Sequence, residues 1–476
     1  MPLIDPVDRR PVHFIGIAGA GMSALAELFV RRGVVVTGCD AAGDPTGDLA
    51  RLGISVARGH DPAHVTEIRA AVVTSAVARD HPEVERARAL GVPVIRRAEA
   101  LAEAVSGGVL VAIAGTHGKT TTTVMATEAL AAAGRDPTGV VGGRVGAWGG
   151  NLRPGGVSLH VVEADEYDRS FLALRPTVAV VTNVEADHLD IYADLGDIRD
   201  AFAQFLRTAQ WVILCADDAG ANTLPVPSTA EIVRYGTSSS DARLVARDIQ
   251  VTPDGSRFDV VYDGETLGSL ALRVPGLHNV RNALAAVGVG IATGVTLDEM
   301  QPGLERFTGV ERRFQRLGDA AGVTIIDDYA HHPTEIRATL DAARASFPGR
   351  RIVAAFQPHL YSRTRDFATE FGSALAAADA VFLTDIYPAR EQPIAGVSAD
   401  LIATAMVRSG RPAAWQGART ALVAALTGEV RPGDVVLTLG AGDITATGPE
   451  LLRALGGAGA APQGPGRVTR ASGLPT

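Results

Sequence analysis

The stretch Val109–Met125, VLVAIAGTHGKTTTTVM, restricts the fold more than any other part of the chain. Its first six residues, Val109 to Ala114, are uniformly apolar, as expected of a parallel strand covered on both faces. They break into Gly115-Thr116-His117-Gly118-Lys119-Thr120-Thr121, and a helix-forming run follows. Strand, glycine loop and helix in that order make a phosphate cradle. Backbone N–H groups at the helix start face phosphate oxygens, the lysine meets the outer phosphates, and the Thr120 hydroxyl can ligate Mg2+. The glycines are closer together than in the common Walker loop. One observation outweighs that mismatch: Lys119 is the only lysine in the chain, and every other basic side chain is arginine. A compact ammonium and a broad guanidinium fork are not interchangeable inside a narrow loop.

At 476 residues the chain exceeds one ordinary core, so several domains are expected. A formal net charge of −9 argues against nonspecific nucleic-acid binding. No apolar run reaches the ~20 residues that span a bilayer, and MPLIDPVDRRPV carries no apolar signal segment, so no membrane insertion and a cytoplasmic location are expected. Cys39 and Cys215 form neither a metal-binding spacing nor a disulfide framework and read as small buried hydrophobes.

Taken in order, the chain restarts the same pattern three times. Val12–Ile17 reads as a strand that opens into Gly16-Ile17-Ala18-Gly19-Ala20-Gly21-Met22-Ser23-Ala24, then a helix, then a strand ending at Asp40. Alone, this fits a dinucleotide fingerprint with Asp40 as the ribose-binding acid, and a nicotinamide-dependent oxidoreductase is one function class it allows. Ser106-Gly107-Gly108 marks the first boundary. The second segment holds the phosphate loop and two more apolar strands, 159–164 and 178–184. The first ends in Glu163 within EADEYD, the second in Asn183-Val184-Glu185-Ala186-Asp187-His188. Glu163 with Thr120 offers hard oxygen donors suited to Mg2+; His188 is a less typical ligand. Residues 240–274 alternate as antiparallel hairpins, and GLHNVRNALAA opens a long helix. Glu311-Arg312-Arg313-Phe314 marks the second boundary. Beyond it, strands end in Asp327-Asp328-Tyr329-Ala330-His331-His332 and in Gln357-Pro358-His359, with Arg363 and Arg365 nearby. Histidines beside arginines suit a pocket for a small anionic molecule. The tail 457–476, rich in Gly, Pro and Ala, is expected to be disordered.

GIAGAGMSALAE, AGTHGKTTTT, EADEYDRSFL, TNVEADHLD, GLHNVRNALAA, ERRF, DDYAHHPTEI, FQPHLYSRTRD and LGAGDI, taken together from about His13 to Ile444, resemble the Mur ligases. The resemblance implies an α/β protein of three domains. These are an N-terminal Rossmann-like UDP-sugar domain (1–107), a central P-loop-type ATPase (108–312) and a C-terminal Rossmann-like amino-acid domain (313–456). It is closest to the member that uses ATP and Mg2+ to join L-alanine to the lactyl carboxylate of UDP-N-acetylmuramate through an acyl phosphate.

Carried over residue by residue, Lys119 would stabilise the transferring phosphate. Thr120 and Glu163 would hold one Mg2+ and His188 a second. Gly115, Thr116, His117, Gly118 and Thr121 would line the ATP phosphates, Asn279 and Asn282 would read adenine, and Arg313 and Asp328 would reach phosphates and ribose. Tyr329, His331, His359 and Arg363 would shape the alanine pocket. The first glycine loop (Gly19, Gly21, Met22, Ser23), with Asp40 and Ser75, would take the UDP diphosphate instead of a nicotinamide dinucleotide. A monomer or homodimer is expected.

Two features depart from relatives. No second lysine exists to be carbamylated as in ligases for later amino acids, and Leu360 stands where some relatives carry arginine. The nearest rival is a recycling ligase that attaches a ready-made peptide to the same sugar; FQPHLYSRTRD favours the alanine enzyme.

Overall fold

Parallel strands covered by helices recur three times along the chain. A computed structural model describes residues 2–5, 7–74, 76–78, 80–389 and 391–456. The tail 457–476, expected to be disordered, and Ser75 lie outside the described residues. The chain divides into two compact units, one of residues 1–311 with the segments 337–349 and 365–367, the other of residues 312–336, 350–364 and 368 onward.

The first unit holds two sheets. The N-terminal one has β1 (Val12–Ile15), β2 (Val36–Asp40), β3 (Ser55–Arg58), β4 (Ala70–Val73) and β5 (Val94–Arg96) in the order β3-β2-β1-β4-β5, all parallel. Strand order reverses beside β1, which places a crevice at the carboxyl end of that strand, where open α/β sheets bind ligands. Helix Ala20–Arg31 starts directly after Gly19 and buries Met22, Leu25, Leu28 and Phe29 on one sheet face, with Phe29 edge-on to Phe14 at 5.5 Å. The other face carries Ile15, Cys39 and Ala71, packed against Val65, Ile68, Val84 and Ala87.

The second sheet has ten strands: β6 (Val109–Ala114), β7 (Thr138–Val145), β8 (Gly150–Arg153), β9 (Leu159–Glu163), β10 (Val178–Val181), β11 (Trp211–Cys215), β12 (Glu231–Gly236), β13 (Leu244–Thr252), β14 (Gly255–Tyr262) and β15 (Glu265–Leu272). Their order is β15-β14-β13-β12-β11-β10-β6-β9-β7-β8. The strands from β12 to β7 in that order run parallel, and the expected hairpins β13–β15 are antiparallel and extend the same sheet. Helices Lys119–Ala132 and Leu277–Thr293 bury Val124, Met125, Leu130, Val280, Leu284 and Val287 in a core shared with β6 and β10. A second core cluster runs from Val12 and Phe29 to Ala112, Phe171 and Phe202, joining both sheets of this unit into one apolar mass.

His160 lies in that join, 1% exposed on β9. Arg32, at the end of helix Ala20–Arg31, donates to Gly156 O at 3.0 Å and approaches His160 Nε2 at 3.4 Å. Burial first, and the Arg32 charge second, hold the imidazole pKa down to about 4. The folded chain keeps this ring neutral, while the unfolded chain protonates it near pH 6.5. Stability is therefore lost as pH falls from about 6.5 toward 4, by up to about 3 kcal/mol from this group. A profile of Tm against pH should be shallower in that window for His160→Gln than for the parent; equal slopes would reject the assignment.

The second unit contains β16 (Gln315–Ala320), β17 (Val323–Asp328), β18 (Ile352–Phe356), β19 (Ala380–Thr384), β20 (Trp415–Gly417) and β21 (Val435–Leu439) in the order β16-β17-β21-β18-β19-β20. Only the edge strand β16 is antiparallel to its neighbour. β17, β18, β19 and β21 are buried along their whole length, including the polar Thr324, Asp327 and Asp328 of β17, as expected of parallel strands covered on both faces. Among the described residues no helix is long and apolar enough to cross a membrane.

Candidate active site

β6 lies between β9 and β10, and all three run the same way. The loops after them therefore emerge at one sheet edge, which is why Lys119, Glu163 and His188 converge although 69 residues separate the first from the last. Two glycines make the loop possible. Gly115 adopts φ +133°, and a Cβ there would lie 2.0 Å from Thr182 Oγ1; Gly118 adopts φ +79°, and its Cβ would lie 2.7 Å from Asn282 Oδ1. The loop is tied to β10 by the His117 N–H donating to Asn183 Oδ1 (2.7 Å) and the Thr182 hydroxyl donating to His117 O (2.6 Å). The first bond of helix Lys119–Ala132 runs from Thr122 N–H to Gly118 O at 3.0 Å. The amides of 118–121 precede it and by helix geometry face out of the N-terminus.

Lys119 Nζ donates to Gly115 O (2.6 Å), Thr116 O (3.2 Å) and Glu166 Oε1 (2.9 Å). Burial works against its charge, but Glu166, Asp165 and Glu163 outweigh burial and raise its pKa. Glu166 is pushed up by burial and pulled further down by Lys119 and His188, so it stays ionised. The Thr120 hydroxyl donates to Glu163 Oε1 (2.9 Å), and the Gly142 N–H donates to Glu163 Oε2 (2.6 Å). Burial raises the Glu163 pKa above the usual carboxylate value. A buried carboxylate next to a threonine hydroxyl, with no basic side chain bonded to it directly among the described residues, is an all-oxygen donor pair that fits a hard cation such as Mg2+. His188 adopts φ +53°, lies 3.5 Å from Glu166 Oε1 and packs edge-on against Tyr167 at 5.1 Å. His117 Nε2 is 3.6 Å from Glu185 Oε2.

Asn279 and Asn282 occupy the first turns of helix Leu277–Thr293 and are buried. Asn279 donates to Pro275 O at 2.7 Å, and Asn282 Oδ1 accepts from the Thr122 hydroxyl at 3.2 Å. Asn282 thus packs directly against the phosphate loop.

At the N-terminal crevice, Gly19, Gly21 and Ser23 open helix Ala20–Arg31, while the Met22 side chain is part of the core and leaves only its backbone near the loop. Asp40 is engaged as a loop staple, accepting from Ala18 N–H (3.1 Å) and Ala42 N–H (3.0 Å). Arg97 stands over this loop: a Cβ on Gly21 would lie 3.0 Å from its Nη1, and its guanidinium is 3.7 Å from Asp165. Arg96, Arg97, Asp168 and Arg169 line a cavity of about 180 Å³ between the start of helix Arg97–Ala104 and the segment 168–173.

In the second unit, β17, β18 and β21 also end at one edge. The four residues expected to shape the amino-acid pocket meet there. His331 is edge-on to Tyr329 (5.2 Å) and to His359 (6.0 Å), and Arg363 Nη1 is 3.5 Å from His359 Nδ1. Asp328 accepts from Phe314 N–H (2.7 Å) and Ala330 N–H (2.8 Å), and burial raises its pKa to about 6 against the pull of Arg313. Arg313 is 3.4 Å from Glu335 and 5.1 Å from the centre of the Tyr329 ring.

Sequence reasoning passed over Glu166, Asn183, Arg97, Glu335 and Tyr387, which stacks on His359 at 5.8 Å. Glu166 was within reach, three residues beyond Glu163 in the same acidic run.

Phosphate loop, oxygen-donor pair and two further α/β sheets with polar strand ends are the parts of an ATP-using enzyme. Residues 11–108 match the catalytic domain of the Mur ligase family, residues 113–290 the Mur ligase middle domain, and residues 312–442 the Mur ligase, glutamate ligase domain. The chain belongs to the Mur ligase family, whose members are ATP-dependent. It is 46% identical over 460 residues to the UDP-N-acetylmuramate–L-alanine ligase of Acidothermus cellulolyticus, covering 94% of this chain and 96% of that one. A protein of the same name from Cutibacterium acnes is 46% identical over 464 residues, covering 96% and 98%. Among solved structures, the UDP-N-acetylmuramate–alanine ligase MurC from Thermotoga maritima matches with TM-score 0.79 and 30% identity over 93% of this chain and 98% of that one. The murein peptide ligase of Psychrobacter arcticus matches with TM-score 0.69 and 26% identity over 94% and 99%.

Proposed function

We propose that this chain joins L-alanine to the lactyl carboxylate of UDP-N-acetylmuramate at the expense of ATP, in the synthesis of peptidoglycan precursors in the cytoplasm. The observation that carries this reading is the phosphate loop with its single lysine and the Thr120–Glu163 pair. It stands in a chain that aligns nearly end to end with proteins named for this reaction. The rival, a ligase for a ready-made peptide, is less favoured because the solved peptide ligase is the more distant match.

The chemistry runs in two steps. A carboxylate oxygen of the sugar lactyl group attacks the γ-phosphorus, the bond to the β-bridging oxygen breaks, and ADP leaves an acyl phosphate. The alanine amine then attacks the acyl carbon, inorganic phosphate departs, and the nitrogen gives up a proton. The first step brings two anions together, so its barrier is dominated by charge repulsion. Lys119 holds an ammonium at the loop, fixed in place by Glu166 and two loop carbonyls. The outward-facing amides of 118–121 hold phosphate oxygens without reorganising. Mg2+, held by Thr120 and Glu163 with His188 nearby, would add charge neutralisation at the transferring phosphate. Asn282 braces the loop from behind, and Asn279 and Asn282 define where adenine is read. Tyr329, His331, His359 and Arg363 form a compact aromatic and cationic group suited to a small zwitterion, with Arg363 for its carboxylate. Arg313 and Asp328 contribute to the nucleotide side. The N-terminal glycine loop takes the UDP diphosphate, and Arg97 is well placed to pair with it. The working regions are 1–107, 108–312 and 313–456.

Phosphate release should be measured with UDP-N-acetylmuramate, ATP and Mg2+ while the acceptor varies. Turnover is expected with L-alanine and to fall at least tenfold with a tripeptide. Turnover with tripeptide alone would overturn the assignment in favour of the recycling ligase.

A further inference from the structure

All four histidines among the first 116 residues converge, with Cys39, on one carboxylate. Glu83, at the start of helix Pro82–Ala89, is completely buried. His64 Nδ1 lies 2.7 Å from its Oε1, His60 Nδ1 lies 3.2 Å from its Oε2, and His81 Nδ1 lies 3.8 Å from its Oε2. Cys39 Sγ is 3.2 Å and 3.1 Å from the two oxygens. One donor atom from each of His13, Cys39, His64 and Glu83 lies within 4.8 Å of every other. His13, 2% exposed on β1, has Nδ1 fixed by the Thr37 hydroxyl at 2.9 Å, and its Nε2 is buried without a hydrogen-bond partner.

A wholly buried carboxylate needs compensating positive charge, because desolvating it alone costs several kcal/mol. Among the described residues Glu83 has no Lys or Arg partner, and its ion pairs are with histidines only. Imidazoles supply that charge only if protonated, whereas a bound divalent cation supplies it outright. The donors are also of mixed softness: two imidazole nitrogens, one sulfur, one carboxylate oxygen. That set suits a borderline divalent ion in tetrahedral coordination, not a hard oxygen-seeking one. In such a site the ligand atoms stand ~3.2–3.8 Å apart, so the observed cluster needs only modest closure.

We propose that His13, Cys39, His64 and Glu83 form a structural zinc site that clips β1 and β2 to the segments following β3 and β4. Binding converts the Cys39 thiol to a thiolate and releases its proton to solvent, with no redox change. His60 bonds to Glu83 Oε2 from outside and orients it, and His81, whose ring lies 4.7 Å from that of His60, caps the helix by accepting from the Glu83 N–H at 3.3 Å. The site covers the sheet face opposite helix Ala20–Arg31, where only a small apolar cluster packs. It is distinct from the Thr120–Glu163 pair, which offers oxygen alone.

Full-length protein stripped of metal and held in excess Mg2+ should bind one Zn2+ per chain in competition with a chromogenic chelator. Affinity should fall about 100-fold in Cys39→Ser and in His64→Gln. Co2+ substitution should give the parent protein tetrahedral d–d bands and a sulfur-to-cobalt charge-transfer band, the latter missing in Cys39→Ser. The cobalt spectrum of the parent decides the matter even if a variant folds poorly. Absence of stoichiometric zinc, zinc binding indifferent to Cys39, or a cobalt spectrum without sulfur charge transfer would each overturn the site and leave a hydrogen-bonded polar cluster.

Discussion

Lys119→Arg is expected to lower ADP formation by at least about 1,000-fold while leaving the protein folded and still able to bind UDP-N-acetylmuramate. The charge is conserved, so the loss would come from shape. Lys119 Nζ sits within hydrogen-bond reach of Gly115 O, Thr116 O and Glu166, a cage that a single ammonium fills with three donors. A guanidinium is planar and too wide to meet two carbonyls of one tight turn and remain over the loop. Gly118 leaves no slack, since even a methyl group there would press on Asn282. ADP release in a coupled assay, with near-unchanged thermal stability, is the measurement. Retention of more than about a tenth of the parent rate would mean that positive charge suffices and that the lone lysine has no special geometry.

Glu163→Gln should cost about 100- to 1,000-fold in kcat, and the Mg2+ concentration giving half-maximal rate should rise by at least tenfold. The substitution keeps the size of the side chain and an oxygen to accept from Thr120 or Gly142. What it removes is the negative charge, which burial already makes costly to maintain. A protein that holds an ionised carboxylate in such a place needs a cation to stabilise it. If kcat drops but the Mg2+ dependence stays put, Glu163 acts on the loop through Thr120 instead of on the metal.

The phosphate loop and its strand were legible because their chemistry is local: six apolar residues, two glycines in unusual conformations and a lysine within eleven positions. Strand ends bearing Glu163, His188, Asp328 and His359 were legible for the same reason. What gathers Glu163 and His188 within one unit is the adjacency of β9, β6 and β10, and what gathers Asp328 and His359 within the other is that of β17, β21 and β18; no spacing along the chain encodes either order. Asp40 holds the position of a ribose-binding acid, and each of its oxygens also accepts a backbone amide, from Ala18 and from Ala42, a tie that no motif announces. By spacing alone Cys39 reads as a small buried hydrophobe. It is buried, but among imidazoles and a carboxylate contributed by residues 21 and 44 positions away, beyond the reach of any motif.

Lys119 also gives this chain an unusual proteolytic map. A lysine-specific endoprotease has one internal bond to cut, Lys119–Thr120, which would separate residues 1–119 from 120–476. That bond lies at the first turn of a helix whose next four residues are buried. Cleavage therefore requires the loop and the start of the helix to open, and at low protease its rate follows the equilibrium population of that opening. Any molecule that closes on the loop must slow the cut in proportion to its occupancy. The fold thus carries its own occupancy meter at the nucleotide site, readable on a gel as two fragments and requiring neither turnover nor label.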